Sequence, residues 1–232
     1  MGRLQSSSPL FLPGPPADLG MPNPEVMAFL ESRVEGEILD MGGGIGAYSF
    51  ALWRKSHPVT LAEKDPACLE SAGKLGFPIL DMNSVSLGEL KQKFDTVILV
   101  DVLEHIDDYR VFLKEAVACA RKKILLTVPC NDEFQKLFEA GLTYNHVAVT
   151  DHLHQFTSRD MGDLFRELNC SYKIHTGNHL FPHPILALLF REMWGSFRGK
   201  LALSSIKFCL DRGLLPNLFP SRIFVEAYPP AT

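Results

Sequence analysis

The run Glu37-Ile38-Leu39-Asp40-Met41-Gly42-Gly43-Gly44-Ile45-Gly46 constrains this chain more than any other segment. A short apolar strand ends in a carboxylate, a glycine-packed turn follows, and a helix starts near Ile45. Glycines allow positive φ and let a ligand approach where a Cβ would clash. The helix after them aims its free N–H groups at whatever lies over the turn. The arrangement reads as a nucleotide-type cradle.

Two ligands suit such a cradle. Gly42-x-Gly44-x-x-Ala47 fits the dinucleotide fingerprint, and Glu63, twenty-one residues after Gly42, is placed for a ribose hydroxyl. Asp40-x-Gly42-x-Gly44-x-Gly46 instead resembles the first motif of the class I S-adenosylmethionine (SAM) methyltransferases. The ligands differ in charge at this point. A dinucleotide lays a pyrophosphate on the turn, and an acid beneath it repels that phosphate. SAM has no phosphate, and its sulfonium and α-ammonium are groups that a carboxylate can hold. Asp40 therefore favours SAM. Ordinary strand–helix turns carry glycines too, so the downstream residues have to decide.

Downstream, strands and helices alternate without an internal repeat. Asn23 followed by Pro24 predicts a helix through about Val34. The first strand runs to Asp40, and a helix covers about Ile45 to Lys55. Val59–Ala62 is a second strand closed by Glu63, and Asp65-Pro66 opens a helix to about Leu75. Phe77–Leu80 is a third strand ending at Asp81, and Phe94–Val100 a fourth ending at Asp101. A helix over about Asp108–Ala120, a fifth strand over Lys123–Val128, and a capping-box helix from Thr157-x-x-Asp160 to about Leu168 come next. The last two strands are Ser171–Thr176 and Arg222–Tyr228. Near-continuous apolar strands separated by helices predict a doubly wound parallel sheet covered on both faces. Ligands in such sheets sit at the carboxyl ends of the strands. Asp40, Glu63, Asp81 and Asp101 each terminate one of four successive strands. Any one of them could simply begin the next helix; all four together are hard to obtain by chance.

From about residue 35 to 176 the chain resembles the class I SAM-dependent methyltransferases, above all the small-molecule group with a Val-Leu-Glu-His-Ile-type segment after strand four. Here that segment is Asp101-Val102-Leu103-Glu104-His105-Ile106. The resemblance implies a Rossmann-like, seven-stranded sheet of order 3-2-1-4-5-7-6, its seventh strand inserted antiparallel. It implies that Asp40, Gly42, Gly44 and Gly46 hold the methionyl part of SAM, and that Glu63 takes the ribose hydroxyls. It also implies that Asp81 and Met82 meet the adenine and that Asp101 and Val102 line the floor near the sulfonium.

Methyl transfer from a sulfonium is an in-line displacement, so placing the nucleophile behind the methyl is most of the catalysis. A base is needed only for an acceptor that is protonated at working pH. His105 and His154 are the candidates, His154 three residues before the Thr157 cap and His105 beside the cofactor. His105 also suits packing that orients its loop, and His154 a bond to backbone near the cap. His146-x5-His152-x-His154 offers zinc-type residues without a strong ligand spacing. Asp101, Glu104, His105 and Asp108 resemble the metal-assisting acids of some quinone-precursor O-methyltransferases, but Glu-His pairs also occur in metal-free relatives. No metal is assigned. Strand four lacks the Asn/Asp-Pro-Pro-aromatic run of enzymes that methylate base amines, and Cys130 reads as a buried thiol rather than a nucleophile.

A net charge of −4 with no basic run argues against a nucleic-acid partner. The five cysteines are scattered without a CxxC pair, which suits free thiols in a reducing, cytoplasmic setting. Residues 1–22, rich in Ser, Pro and Gly, lack the pattern of a signal peptide and read as a poorly ordered arm able to fold over the cleft. Residues 23–232 read as one domain. Between strands six and seven, residues 180–221 form a helical insertion, apolar and basic, without an apolar run of the ~18–20 residues a span needs. A peripheral membrane contact, a cap over a greasy substrate, a homodimer face and an extra structural layer all fit it.

The expectation is a SAM-dependent methyltransferase acting on oxygen, nitrogen or carbon of a small molecule such as a sugar, quinone precursor or lipid-linked acceptor. Its rivals are an NAD-dependent oxidoreductase built on the same turn and a non-catalytic SAM-binding partner protein.

Overall fold

The structure, a computed structural model, describes residues 19–132, 152–179 and 220–230, together with 201, 204, 205 and 208. The expected arm (apart from residues 19–22), His146 and nearly all of the 180–221 insertion lie outside the described residues.

Asn23 starts the first helix, α1 (Pro24–Glu31), as its cap: Oδ1 accepts from the Glu25 and Val26 N–H groups at 2.9 and 3.2 Å. The chain then runs through β1 (Ile38–Met41), α2 (Ala47–Arg54), β2 (Val59–Glu63), α3 (Pro66–Ala72) and β3 (Ile79–Asp81). β4 (Phe94–Val100), α4 (Tyr109–Cys119) and β5 (Ala120–Pro129) follow. α5 (Ser158–Glu167), β6 (Ser171–His179) and β7 (Pro220–Tyr228) complete the fold. The Thr157 capping box is present in both directions, hydroxyl to the Asp160 backbone and carboxylate to the Thr157 backbone.

All seven strands form one sheet of order β3-β2-β1-β4-β5-β7-β6, the order the resemblance implies. β1 to β5 are parallel, and β7 runs antiparallel between β5 and β6. β6 runs on to His179 and β5 to Pro129 because β7 pairs along both, and β5 starts early, at Ala120, because it pairs there with Phe94 of β4. Pro129 lies opposite Arg222, and His179 opposite Pro220. Strand ends follow the partner as much as the strand's own residues.

Both faces of the sheet are covered. Leu39, Val97, Leu99, Leu126 and Val225 pack with Leu113 and Ala116 of α4 and Phe165 of α5. Ile38, Ile98, Leu125 and Phe224, one residue out of phase, pack with Val26, Phe29 and Leu30 of α1 and Leu52 of α2. This two-sided burial is why the strands read as continuous apolar runs. Leu19 is buried with Phe50, Leu61, Leu75 and Phe77, so the chain entering α1 docks beside α2 and α3. Among the described residues no helix is long and apolar enough to cross a membrane. Cys119, Cys130 and Cys170 are buried free thiols, and Cys68 is half-buried.

Candidate active site

The glycine turn connects β1 to α2 at the carboxyl edge of the sheet. Gly42, Gly44 and Gly46 hold φ of +79°, +57° and +89°. Two positions show why side chains are excluded. A Cβ on Gly42 would lie 2.7 Å from Val102 Cγ1, and one on Gly43 would lie 2.6 Å from Asp40 Oδ2. The turn is therefore pressed against the post-β4 segment on one side and against its own acid on the other.

That acid is 1% exposed. Ser49, in the first turn of α2, donates its hydroxyl to Asp40 Oδ2 at 2.6 Å. Burial pushes the Asp40 carboxyl up to about 6, reinforced by the Glu63 charge and opposed by the Ser49 bond. The buried carboxylate lies directly beneath the turn, with Ser49 as its hydrogen-bonding neighbour.

At the end of β2, Glu63 folds back across the turn. Its Oε2 accepts from the Gly44 N–H at 2.9 Å, and Oε1 accepts from the Lys64 and Asp65 N–H groups at 2.7 and 2.9 Å. Oε1 is saturated, whereas Oε2 retains a lone pair for a hydroxyl. Asp81, closing β3, accepts from the Asn83 N–H at 2.8 Å and the Ser84 hydroxyl at 2.9 Å, and these bonds lower its pKa. Met82 continues beside it, its N–H donating to the Glu63 carbonyl at 2.8 Å. Three expected acids and the glycine turn thus stand side by side on β1, β2 and β3.

Past β4 the site becomes a network of distant residues. Asp101 has φ +53°, unusual outside glycine, and its carboxylate is held from two other strands. Thr127 of β5 donates to Oδ1 at 2.9 Å. Arg222 of β7 brings Nη1 to Oδ1 at 2.7 Å and to Oδ2 at 2.5 Å. Val102 backs Gly42, as noted. On α2, Tyr48 accepts from the Asn23 N–H at 3.2 Å, and its phenol lies in the fields of Arg222, Asp101 and Asp40.

The two expected bases occupy different surroundings. The Glu104 carbonyl accepts from the Leu153 and His154 N–H groups at 2.8 and 3.2 Å, docking the returning loop on the post-β4 turn. His154 Nε2 then donates to the carbonyls of Ile106 and Asp107 at 3.0 and 3.2 Å. Two carbonyl acceptors place the proton on Nε2. The ring packs edge-on against Tyr109, centroids 4.6 Å apart, and lines a cleft of about 610 Å³ between α4 and α5. No residue of the glycine turn lines that cleft. His105 is exposed, with His152 edge-on at 5.0 Å. Glu104, His105 and His152 each bring a ligand atom within 4.8 Å of the others, a carboxylate and two imidazoles of the kind zinc accepts. Asp108 caps α4 instead, accepting from the Val111 N–H at 3.2 Å.

A methyltransferase-domain family model matches residues 22–173. The chain belongs to that family. The methyltransferase is similar in fold to a SAM-dependent methyltransferase from Archaeoglobus fulgidus, at 14% identity over 88% of this chain and 93% of that one, with a TM-score of 0.60. Magnesium protoporphyrin IX methyltransferase from Synechocystis with bound S-adenosylhomocysteine (SAH) shares 17% identity over 89% and 81% of the two chains, with a TM-score of 0.55. Phosphoethanolamine N-methyltransferase 2 from Haemonchus contortus, in complex with SAM, shares 14% identity over 89% of this chain and 52% of that one, with a TM-score of 0.56. No curated protein matches by sequence. Family membership speaks for a methyltransferase over a dinucleotide oxidoreductase.

Ser49, Gly43, Tyr48, Thr127 and Arg222 contact or adjoin the expected site residues, and sequence reasoning did not single them out. Ser49 carried a usable signal, since it lies three residues after Gly46 in the first helical turn. Arg222 carried none, being 121 positions from Asp101.

Proposed function

We propose that this methyltransferase moves a methyl group from SAM to an oxygen, nitrogen or carbon of a small molecule. The observation that carries the reading is the buried Asp40 carboxylate beneath a turn that has no room for a Cβ at Gly42 or Gly43. A phosphate over that acid is repelled, whereas the α-ammonium and sulfonium of SAM are attracted. Glu63 Oε2 takes a ribose hydroxyl, and Asp81 with Met82 borders the adenine. Asp101 and Val102 form the floor near the methyl. Structural relatives named for protoporphyrin and phosphoethanolamine methylation support a small-molecule acceptor.

Methyl transfer here is mainly positional. The protein holds sulfonium and nucleophile in line, excludes water, and leaves little bond-making for its side chains. Where the acceptor bears a proton, exposed His105 is the better placed base. His154, with Nε2 committed to two carbonyls, fixes the loop that His152 belongs to. Titration calorimetry tests the cofactor: micromolar SAH affinity with no NAD binding is expected, and the reverse result ends this reading. Transfer of labelled methyl to a panel of phenols, amines and sugars then identifies the acceptor class.

A further inference from the structure

We propose that Glu104, His105 and His152 form a site for a zinc-type divalent ion, three protein ligands with one position left open. Binding of the ion stands apart from the SAM-methyltransferase reading; its use, holding an acceptor oxygen, rests on that reading.

Glu104 and His105 close the short 3₁₀ turn Leu103–His105 that follows β4. They stand past the carboxyl end of that strand, at the ligand end of the sheet. His152 arrives from the loop that returns toward α5. The Leu153 and His154 N–H groups both donate to the Glu104 carbonyl, and His154 Nε2 donates to the carbonyls of Ile106 and Asp107. Hydrogen bonds between the neighbours of His152 and those of Glu104 thus fix the third ligand against the first two. The two rings meet edge-on with centroids 5.0 Å apart. One ligand atom from each residue lies within 4.8 Å of the others. Around a tetrahedral ion with bonds of about 2.0–2.1 Å, donor atoms stand about 3.3 Å apart. Each pair closes by about 1.5 Å or less, a distance that side-chain torsions cover.

Two imidazoles and one carboxylate are the donor set of zinc sites that keep a position open. Calcium and magnesium call for more oxygen ligands than the cluster has. Glu104 is 1% exposed, so its charge acts on an ion through a medium that screens little. His105 is exposed, which gives the ion its way in and sets the open position on the solvent side. The neighbouring acids do not join. Asp101 is taken by Thr127 and Arg222, and Asp108 caps α4. An acceptor hydroxyl at the open position gives up its proton to water more readily, because the ion favours the anion. In the metal-loaded protein His105 is then a ligand, and the ion takes over the duty given above to that base.

The test uses the untagged full chain, stripped with a chelator and titrated with Co²⁺, whose visible bands report its ligands. Zn²⁺ is then added in competition. Binding of one Co²⁺ per chain, micromolar or tighter, with displacement by Zn²⁺, is expected. His152→Ala and Glu104→Gln should each weaken Co²⁺ binding about a hundredfold or more, with folding checked by melting. Where a buried Glu104→Gln fails to fold, His105→Gln at the exposed ligand carries the same expectation. Millimolar or unsaturable binding overturns the proposal, as does affinity that His105→Gln and His152→Ala leave within threefold. Azide added to the Co²⁺ form should enter the open position and bring a new charge-transfer band; an unchanged spectrum overturns the acceptor role. No SAM or SAH is present in these titrations. Failure of the cofactor reading is seen in SAH calorimetry instead, and it withdraws the acceptor role while leaving the metal result to stand or fall by itself.

Discussion

The two halves of the candidate site, the proposed cofactor side before β4 and the proposed acceptor side after it, are built on different sequence scales. Around the glycine turn, partners are close in sequence. Ser49 holds Asp40 across nine positions, Glu63 reaches Gly44 across nineteen, and Asn83 and Ser84 secure Asp81 from the same turn. Beyond β4 the partners are remote. Asp101 is held by Thr127 across 26 positions and by Arg222 across 121, and His154 reaches Ile106 across 48. Short links make a rigid receptor that one sequence segment nearly encodes. Long links make a surface whose parts can vary without disturbing the receptor.

The most damaging way to break this division is Gly42→Ala, because the turn touches both halves. The new methyl meets Val102 at a φ that L-residues disfavour. A stability loss of about 2–4 kcal/mol in urea unfolding is expected from overpacking and strain together, with SAH binding lost. A variant of normal stability and affinity would mean that the halves are not in contact through Val102.

His105→Ala sharpens the contrast from the acceptor side. Turnover on a phenolic acceptor should fall about 10²-fold, the usual general-base contribution, with SAH affinity unchanged. Equal turnover leaves positioning alone to account for the rate. His154→Ala should instead lower stability and loop order, read by hydrogen exchange at Leu153, because its ring anchors backbone.

Asp40→Asn probes the cofactor side, and its sign is opposite for binding and for stability. Burial raises the folded carboxyl from 3.8 to about 6, so ionisation opposes folding. Apoprotein stability is fullest below about pH 4 and declines by about 3 kcal/mol as pH rises through 6. Asparagine removes that slope and should raise the melting temperature at pH 8. SAH affinity should fall roughly tenfold in the variant, as for one lost charge-assisted contact. In the wild type it should weaken as pH drops through about 6, where Asp40 takes up its proton. A wild-type affinity that stays flat from pH 5 to 8 would remove Asp40 from cation binding.

The smallest effect concerns neither half directly. Thr157→Ala removes the α5 capping box and should cost about 1 kcal/mol in thermal unfolding, without a change in SAH affinity. A larger loss of turnover would mean that α5 helps to hold the acceptor loop.

The sequence by itself determined the fold class, the strand order through its resemblance, the glycine turn, and the acids that close successive strands. These follow from periodicity, turn chemistry and burial, each expressed within a few residues. It overran some helix ends, placing the α1 end at Val34 where the helix closes at Glu31, and it stopped β5 and β6 short. The causes are local capping at the helices and pairing with β4 and β7 at the strands. Tertiary structure alone decided that Ser49 serves Asp40, that Gly43 is closed by the acid beneath it, and that His154 is held by two carbonyls. It also decided that Arg222 meets Asp101. A side chain's partner is set by which strands lie side by side, and a chain that returns antiparallel from beyond β6 brings together residues whose spacing in sequence carries no record of the contact.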